Sequence, residues 1–177
     1  MMSKKAFMQI LFKQSKSGGL GILPTMVFSP FADWDYYYLY IDTTWTPESE
    51  YESIFKSIDV PSGFVTDFTS VPRPFWWLMP PTGRYAGPAI FHDYLYWTQN
   101  CSRTVADLVF KIGMRELGVP QWKTFIIYQS VKWLGFIAWN SNAKLKRNGE
   151  KRFLRKNPPP NDASITWDEW KKGDVFK

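Results

Sequence analysis

Residues 91–98, Phe-His-Asp-Tyr-Leu-Tyr-Trp-Thr, and residues 104–117, Thr-Val-Ala-Asp-Leu-Val-Phe-Lys-Ile-Gly-Met-Arg-Glu-Leu, decide how this chain is read. The first holds His92, the only histidine. In the second, Val105, Leu108, Val109, Ile112 and Leu117 recur at helical spacing. Gln99-Asn-Cys-Ser102 lies between them as a turn, and Ser102 suits a helix N-cap. On a helix, His92 and Tyr96 share a face, and Asp93 is turned about 100° away. Two helices joined by a short turn run antiparallel, so facing residues keep an index sum of about 201. His92 then faces position 109, and Asp107 lies roughly 3 Å along the axis. An Asp107–His92 hydrogen bond across the hairpin is within reach. It would make an imidazole oriented by a carboxylate, the arrangement of a general base in hydrolytic sites. The competing reading puts Asp107 on an exposed face beside Arg103 as an i,i+4 pair, with His92 and its tyrosines as core. Spacing alone does not separate the two.

The rest of the chain is organised around this hairpin. A helix over about 85–98 precedes the turn, and Pro120 opens a third helix over about 121–139. Upstream, residues 22–28, 36–43, 53–60 and 63–68 carry β-branched and aromatic residues bounded by turn signals. Ser70 to Leu78 reads as a short helix before Pro80-Pro-Thr-Gly83. Beyond Asn140 an irregular basic tail is expected, packing little on the body and anchored at most by Trp167 and Trp170. The fold class is therefore α+β: an N-terminal antiparallel sheet or meander, three helices and a basic C-terminal extension. The expected divisions are an arm over 1–19, one domain over 20–141 and a tail over 142–177.

Composition narrows the chemistry. With 177 residues, 45% apolar and 21% charged, the chain can bury a core as one domain. Ten Trp, nine Tyr and fourteen Phe imply a large aromatic core or aromatic patches that meet a membrane or partner. A single cysteine, Cys101, excludes an intrachain disulfide framework, and a single histidine excludes a His-x-x-x-His metal site. No phosphate-binding glycine loop, serine nucleophile elbow or Cys-His pair is present. The net charge of +6 is concentrated in residues 144–156, where seven Lys/Arg and one acid give 7 − 1 = +6. Such a run is either a solvated end or a contact for nucleic acid or an acidic protein. Neither a signal peptide nor a membrane span is read from the sequence.

The order His92-Asp93-x-Leu95-Tyr96, then Asp107-x-x-Phe110 with Met114, resembles the helix pair of phospholipases A-two. The resemblance implies that His92 deprotonates water, Asp107 orients it, Tyr96 hydrogen-bonds Asp107, and Asp93 holds calcium. It covers about 25 residues. The family's calcium loop would fall near Pro81–Gly87, which departs from its glycine-rich pattern, and its disulfides have no counterpart.

A longer pattern runs from residue 60 to 140. It comprises Val60-Pro-Ser-Gly-Phe-Val-Thr-Asp67-Phe-Thr-Ser70-Val-Pro-Arg73, Gly83-Arg-Tyr85, His92-Asp-Tyr-Leu-Tyr96, Ser102-Arg, Ala106-Asp107-x-x-Phe110, Tyr128 and Trp133-x-Gly135-x-x-Ala138-Trp139. This is similar to domain-of-unknown-function family one-three-five-three, frequent in bacteriophages and prophages. The resemblance implies a phage setting, in the host cytoplasm or the virion, and draws Asp67 and Arg73 into the same pattern as His92. Asp67 is then a second carboxylate beside the imidazole or a metal ligand with Asp93; alternatively it satisfies the backbone of the Ser70 turn. Arg73 could hold a phosphate or carboxylate through its planar fork, or pair with an acid. Two functions follow as expectations. One is a hydrolase of lipid esters. The other is a non-catalytic virion or host-interaction protein whose tail binds neighbouring subunits or nucleic acid.

Overall fold

The computed structural model describes residues 28–32, 36–68, 86–155 and 164–177. Strands β1 (Phe28–Pro30), β2 (Tyr37–Leu39) and β5 (Val65–Thr66) form an antiparallel sheet in the order β1-β2-β5, with Tyr37 opposite Pro30 and Thr66. Strands β3 (Thr43–Trp45) and β4 (Ile58–Val60) form a separate antiparallel pair. Three long helices follow: α1 (Ala86–Thr98), α2 (Arg103–Glu116) and α3 (Gln121–Arg147). A final turn of helix, α4, spans Trp167–Trp170. The α+β class read from the sequence is the class observed.

Every residue of β2 is buried, so both faces of its sheet are covered. Side chains alternate along a strand. Leu39 therefore joins the core beneath the helices, with Phe64, Phe91 and Phe110, while Tyr38 and Val65 face Leu154, Trp167 and Val175 on the other side. The helical hairpin is set by its turn. Ser102 Oγ accepts the Val105 N–H at 3.3 Å, and Gln99 takes a φ of 56°. Gly113 lets α2 approach α1: a Cβ there would stand 3.0 Å from Pro88 and 3.1 Å from Trp45. Glu116 ties β3 to the same helix, accepting the Trp45 indole N–H at 2.8 Å and the Glu48 N–H at 3.1 Å.

Two expectations are corrected. Helix α3 does not end near Trp139 but continues to Arg147. Between Gly135 and Gly149 the chain has neither glycine nor proline, and its Ala, Leu, Lys and Arg favour helix; Gly149, at φ 88°, is where the chain leaves it. The second correction is the tail, which packs on the body. Val65 N–H donates to the Arg152 carbonyl at 2.8 Å, and Leu154 N–H to that of Gly63 at 2.8 Å. Arg155 N–H then donates to the Val175 carbonyl at 2.7 Å. The sheet thus gains two further rows. Gly63, at φ 82°, permits this, since a Cβ there would meet the Leu154 carbonyl oxygen at 2.2 Å. Of the tail's apolar residues, Leu154, Trp167 and Val175 are buried, and Phe153, Trp170 and Phe176 are partly buried. The expected strand over 22–28 is described only from Phe28, and the expected helix over 70–78 lies outside the described residues. The third candidate strand shortens to β4, after a 3-10 turn at Ser49–Tyr51.

Candidate functional site

The hairpin brings His92 and Asp107 together. His92 Nε2 lies 3.3 Å from Asp107 Oδ1. The Tyr96 hydroxyl donates to the same oxygen at 2.5 Å, and Arg103 donates to Asp107 Oδ2 at 2.9 Å. Asp107 is buried, so the exposed-face reading is corrected, although its i,i+4 pair with Arg103 is present beside the contact with His92 across the hairpin. The imidazole also stacks on Phe110, with ring centroids 4.9 Å apart. Arg103 reaches on to the Lys132 carbonyl at 3.1 Å, which joins the network to α3.

The other side of the imidazole faces Asp93. His92 Nδ1 is 3.8 Å from Asp93 Oδ1 and makes no direct hydrogen bond among the described residues. Asp93 Oδ2 accepts the Thr66 hydroxyl, and Thr66 Oγ1 in turn accepts the Phe68 N–H at 3.2 Å. Phe68 holds a left-handed φ of 54°, uncommon for a bulky residue, and its ring packs edge-on against Phe28 and Tyr37. His92 is 1% exposed. Burial opposes its charged form, but hydrogen bonding and attraction from Asp107 and Asp93 outweigh that, and its pKa is raised above 6.5. Burial and then Asp107 hold the Tyr96 phenol protonated, with its pKa raised, so it acts as a donor.

Asp93 lines a pocket of about 120 Å³, whose wall also includes Thr66, Asp67, Trp97, Asn142 and Arg152. His92 is not part of that lining. Asp67 sits across from Arg152, with Oδ2 3.7 Å from Nη2. Of the residues singled out in the sequence, His92, Tyr96, Asp93 and Asp107 form one connected cluster, and Asp67 joins Asp93 at the pocket. Arg73 lies outside the described residues. Arg152 was missed by sequence reasoning: it stands in the basic run and reads there as a solvated charge, yet it is 4% exposed. The Lys/Arg run carries no signal that separates Arg152 from its neighbours.

Calcium is implied by the phospholipase resemblance, and it requires six to eight oxygen ligands. Among the described residues no three His, Cys, Asp or Glu side chains converge to hold a metal. Asp93 has one oxygen committed to Thr66 and the other turned to His92. The described donor set does not fit a calcium site. No helix among the described residues is long and apolar enough to cross a membrane.

Residues 44–131 match the family described as "Protein of unknown function (DUF1353)". An uncharacterized protein of Sinorhizobium fredii (strain NBRC 101917 / NGR234), y4jT, is 39% identical over 80 residues, a stretch that covers 43% of this chain and 23% of that protein. The chain thus corresponds to about a quarter of that relative's length. No solved structure matches it. The matched stretch holds Asp67, His92, Asp93, Tyr96 and Asp107, while Arg152 lies beyond it.

Proposed function

We propose that this is a bacteriophage-encoded hydrolase in which His92 is the general base, acting on an ester of the phospholipid kind. One observation carries the reading. Asp107 fixes the imidazole through Nε2, backed by Tyr96 and Arg103, and the opposite nitrogen is directed at Asp93, whose carboxylate lines the pocket. A neutral imidazole with its proton on Nε2 presents Nδ1 as an acceptor. A water held between Nδ1 and the pocket would give its proton to Nδ1 as its oxygen attacks the ester carbonyl. The imidazolium would then return the proton to the leaving alkoxide. His92 Nδ1 is enclosed and lies outside the pocket lining, so that water must reach it from the pocket side of Asp93. The connection of Tyr96 and His92 to one oxygen of Asp107 is the connection that the phospholipase resemblance implies. Calcium takes no part in these steps; its effect is an arm of the test.

A second reading is a non-catalytic virion or host-interaction protein. It rests on the outward face of α3, where Trp122, Phe125, Trp133, Phe136 and Ile137 are exposed. Helix α3 contains no acid, and Lys144 and Arg147 continue the same face at its end. An apolar face of this size implies a covering lipid surface or protein. The tail offers fewer free charges to nucleic acid than its composition suggests. Lys146 donates to the Thr98 carbonyl, Arg152 is buried, and Arg155 pairs with Asp174.

Purified protein assayed on phospholipid, carboxyl-ester and phosphodiester substrates, with and without calcium, tests the first reading. Ester hydrolysis that falls by roughly 10²-fold or more in His92→Gln, with the fold retained, supports it. No hydrolysis of any substrate by a folded wild type sinks it in favour of the second.

A further inference from the structure

Helix α3 packs on the body along one side. Its buried Thr124, Ile127, Val131 and Gly135 recur three and four residues apart and mark the inward face. At about 100° per residue, Trp122, Phe125, Trp133, Phe136 and Ile137 all fall within roughly 65° of the opposite direction. Each is exposed, Trp133 by 72%. They extend over about 22 Å of helix, an apolar stripe that water does not favour. Lys144 and Arg147, both exposed, continue the stripe about two to three turns beyond Ile137. Lys132 is exposed at one edge, and at the other the Lys123 ammonium lies 5.4 Å from the Trp122 ring centroid. Residues 121–147 contain five Lys/Arg and no acid.

The chemistry of the stripe selects what covers it. A second copy would present an equally acid-free face, so Lys132, Lys144 and Arg147 would meet no carboxylate from it. Tryptophan and phenylalanine beside lysine and arginine, without acids, suit the headgroup boundary of a bilayer. The rings enter the acyl edge, and the cationic heads reach back to the phosphates. Anionic headgroups supply the charge that α3 lacks. The helix would lie along the surface, since no helix among the described residues is long and apolar enough to cross one. Helix α3 gives Ala138 and Leu145 to the pocket beside Asp93, about 150° round the axis from Trp122, so stripe and pocket are separate surfaces.

We propose that the outward face of α3 docks the protein on a bilayer surface rich in anionic phospholipid. This narrows the covering of α3 to lipid and depends on neither reading of the function, since docking uses neither His92 nor the pocket.

Flotation of the full chain with vesicles of phosphatidylcholine alone, or mixed equally with phosphatidylglycerol, tests it. Wild type should bind the mixed vesicles roughly tenfold or more tightly than the neutral ones, and the gap should close as salt is raised. The double variant Trp133→Gln/Phe136→Gln should bind both vesicles roughly tenfold or more weakly. Lys144→Gln/Arg147→Gln should lose roughly tenfold on the mixed vesicles and little on the neutral ones. All four side chains are exposed, so both variants should keep the fold, which circular dichroism checks. His92→Gln should bind like wild type. The proposal is overturned if wild type binds neither vesicle, if it binds both alike at low salt, or if folded Trp133→Gln/Phe136→Gln binds like wild type. A wild-type dimer in sedimentation that Trp133→Gln/Phe136→Gln dissolves, without vesicle binding, assigns the face to a second copy and overturns it as well. Vesicle binding without ester hydrolysis keeps the surface and removes the enzyme; hydrolysis of a dispersed ester without vesicle binding does the reverse.

Discussion

Gly135 of α3 lies directly over the hydroxyl of Tyr96: a Cβ at position 135 would stand 2.3 Å from that oxygen. The phenol is fully buried and fixed by Asp107, so it has no room to yield. Gly135 therefore sets how closely α3 closes over the His92–Asp107 pair. Gly135→Ala should lower stability by about 1–3 kcal/mol, despite the better helix propensity of alanine. Urea unfolding measures this, and a stabilised variant would show that Tyr96 is free to move.

Asp107 serves three donors, and the variants should rank accordingly. Asp107→Asn removes the one anion that His92, Tyr96 and Arg103 share and should cost about 3–5 kcal/mol, as expected for breaking a buried charge pair. Tyr96→Phe removes one donor and leaves two, so its cost should stay within about 1.5–3 kcal/mol. Equal losses in denaturant titrations would mean that the charge of Asp107 contributes nothing beyond one hydrogen bond.

The raised pKa of His92 fixes a direction for pH dependence. Its folded-state pKa lies above the unfolded value near 6.5, so the imidazolium stabilises the fold fully below about 6.5. That contribution is lost as pH rises through the folded pKa. The stability difference between wild type and His92→Gln should therefore shrink as pH is raised from about 5.5 to 9. The catalytic base form appears over the same interval, so hydrolysis should rise with pH above about 6.5 while stability falls. Unfolding free energies and rates measured on one pH series check both signs. A difference that widens with pH would place a neutral imidazole in the folded state.

The tail should behave as part of the fold. Trp167 is wholly enclosed, with its ring 5.3 Å from Phe31 and 5.9 Å from Phe176. Trp167→Ala should cost about 3–5 kcal/mol. Gly63→Ala should release residues 152–154 from β5, because no rotamer change relieves a clash with a backbone carbonyl. Proteolysis of that variant should begin beyond Gly149. Melting temperatures unchanged in both variants would contradict the docking of the tail.

The hairpin and its His92–Asp107 contact were legible in the sequence for a physical reason. Helices joined by a short turn advance at a constant rise, so residue numbers fix which positions lie at one level and put the contact within reach, but they do not decide whether Asp107 turns inward or outward. Tyr96 and Arg103 belonged to the same local arithmetic, one turn from His92 and from Asp107. The tertiary structure decided what no period records. Nothing near Asp67 signals that Arg152 will be its partner, and nothing in the Lys/Arg run distinguishes Arg152 from its solvated neighbours. Their meeting depends on strand pairing between distant segments, of the sort that also brings Lys177 Nζ to the Ser62 carbonyl across 115 residues. The length of α3 was misread because propensity in a charged segment is a weak signal beside composition. The tail was misread because its three buried apolar residues are too few to fold alone; they are buried only because β2 and β5 offer a second apolar face to receive them.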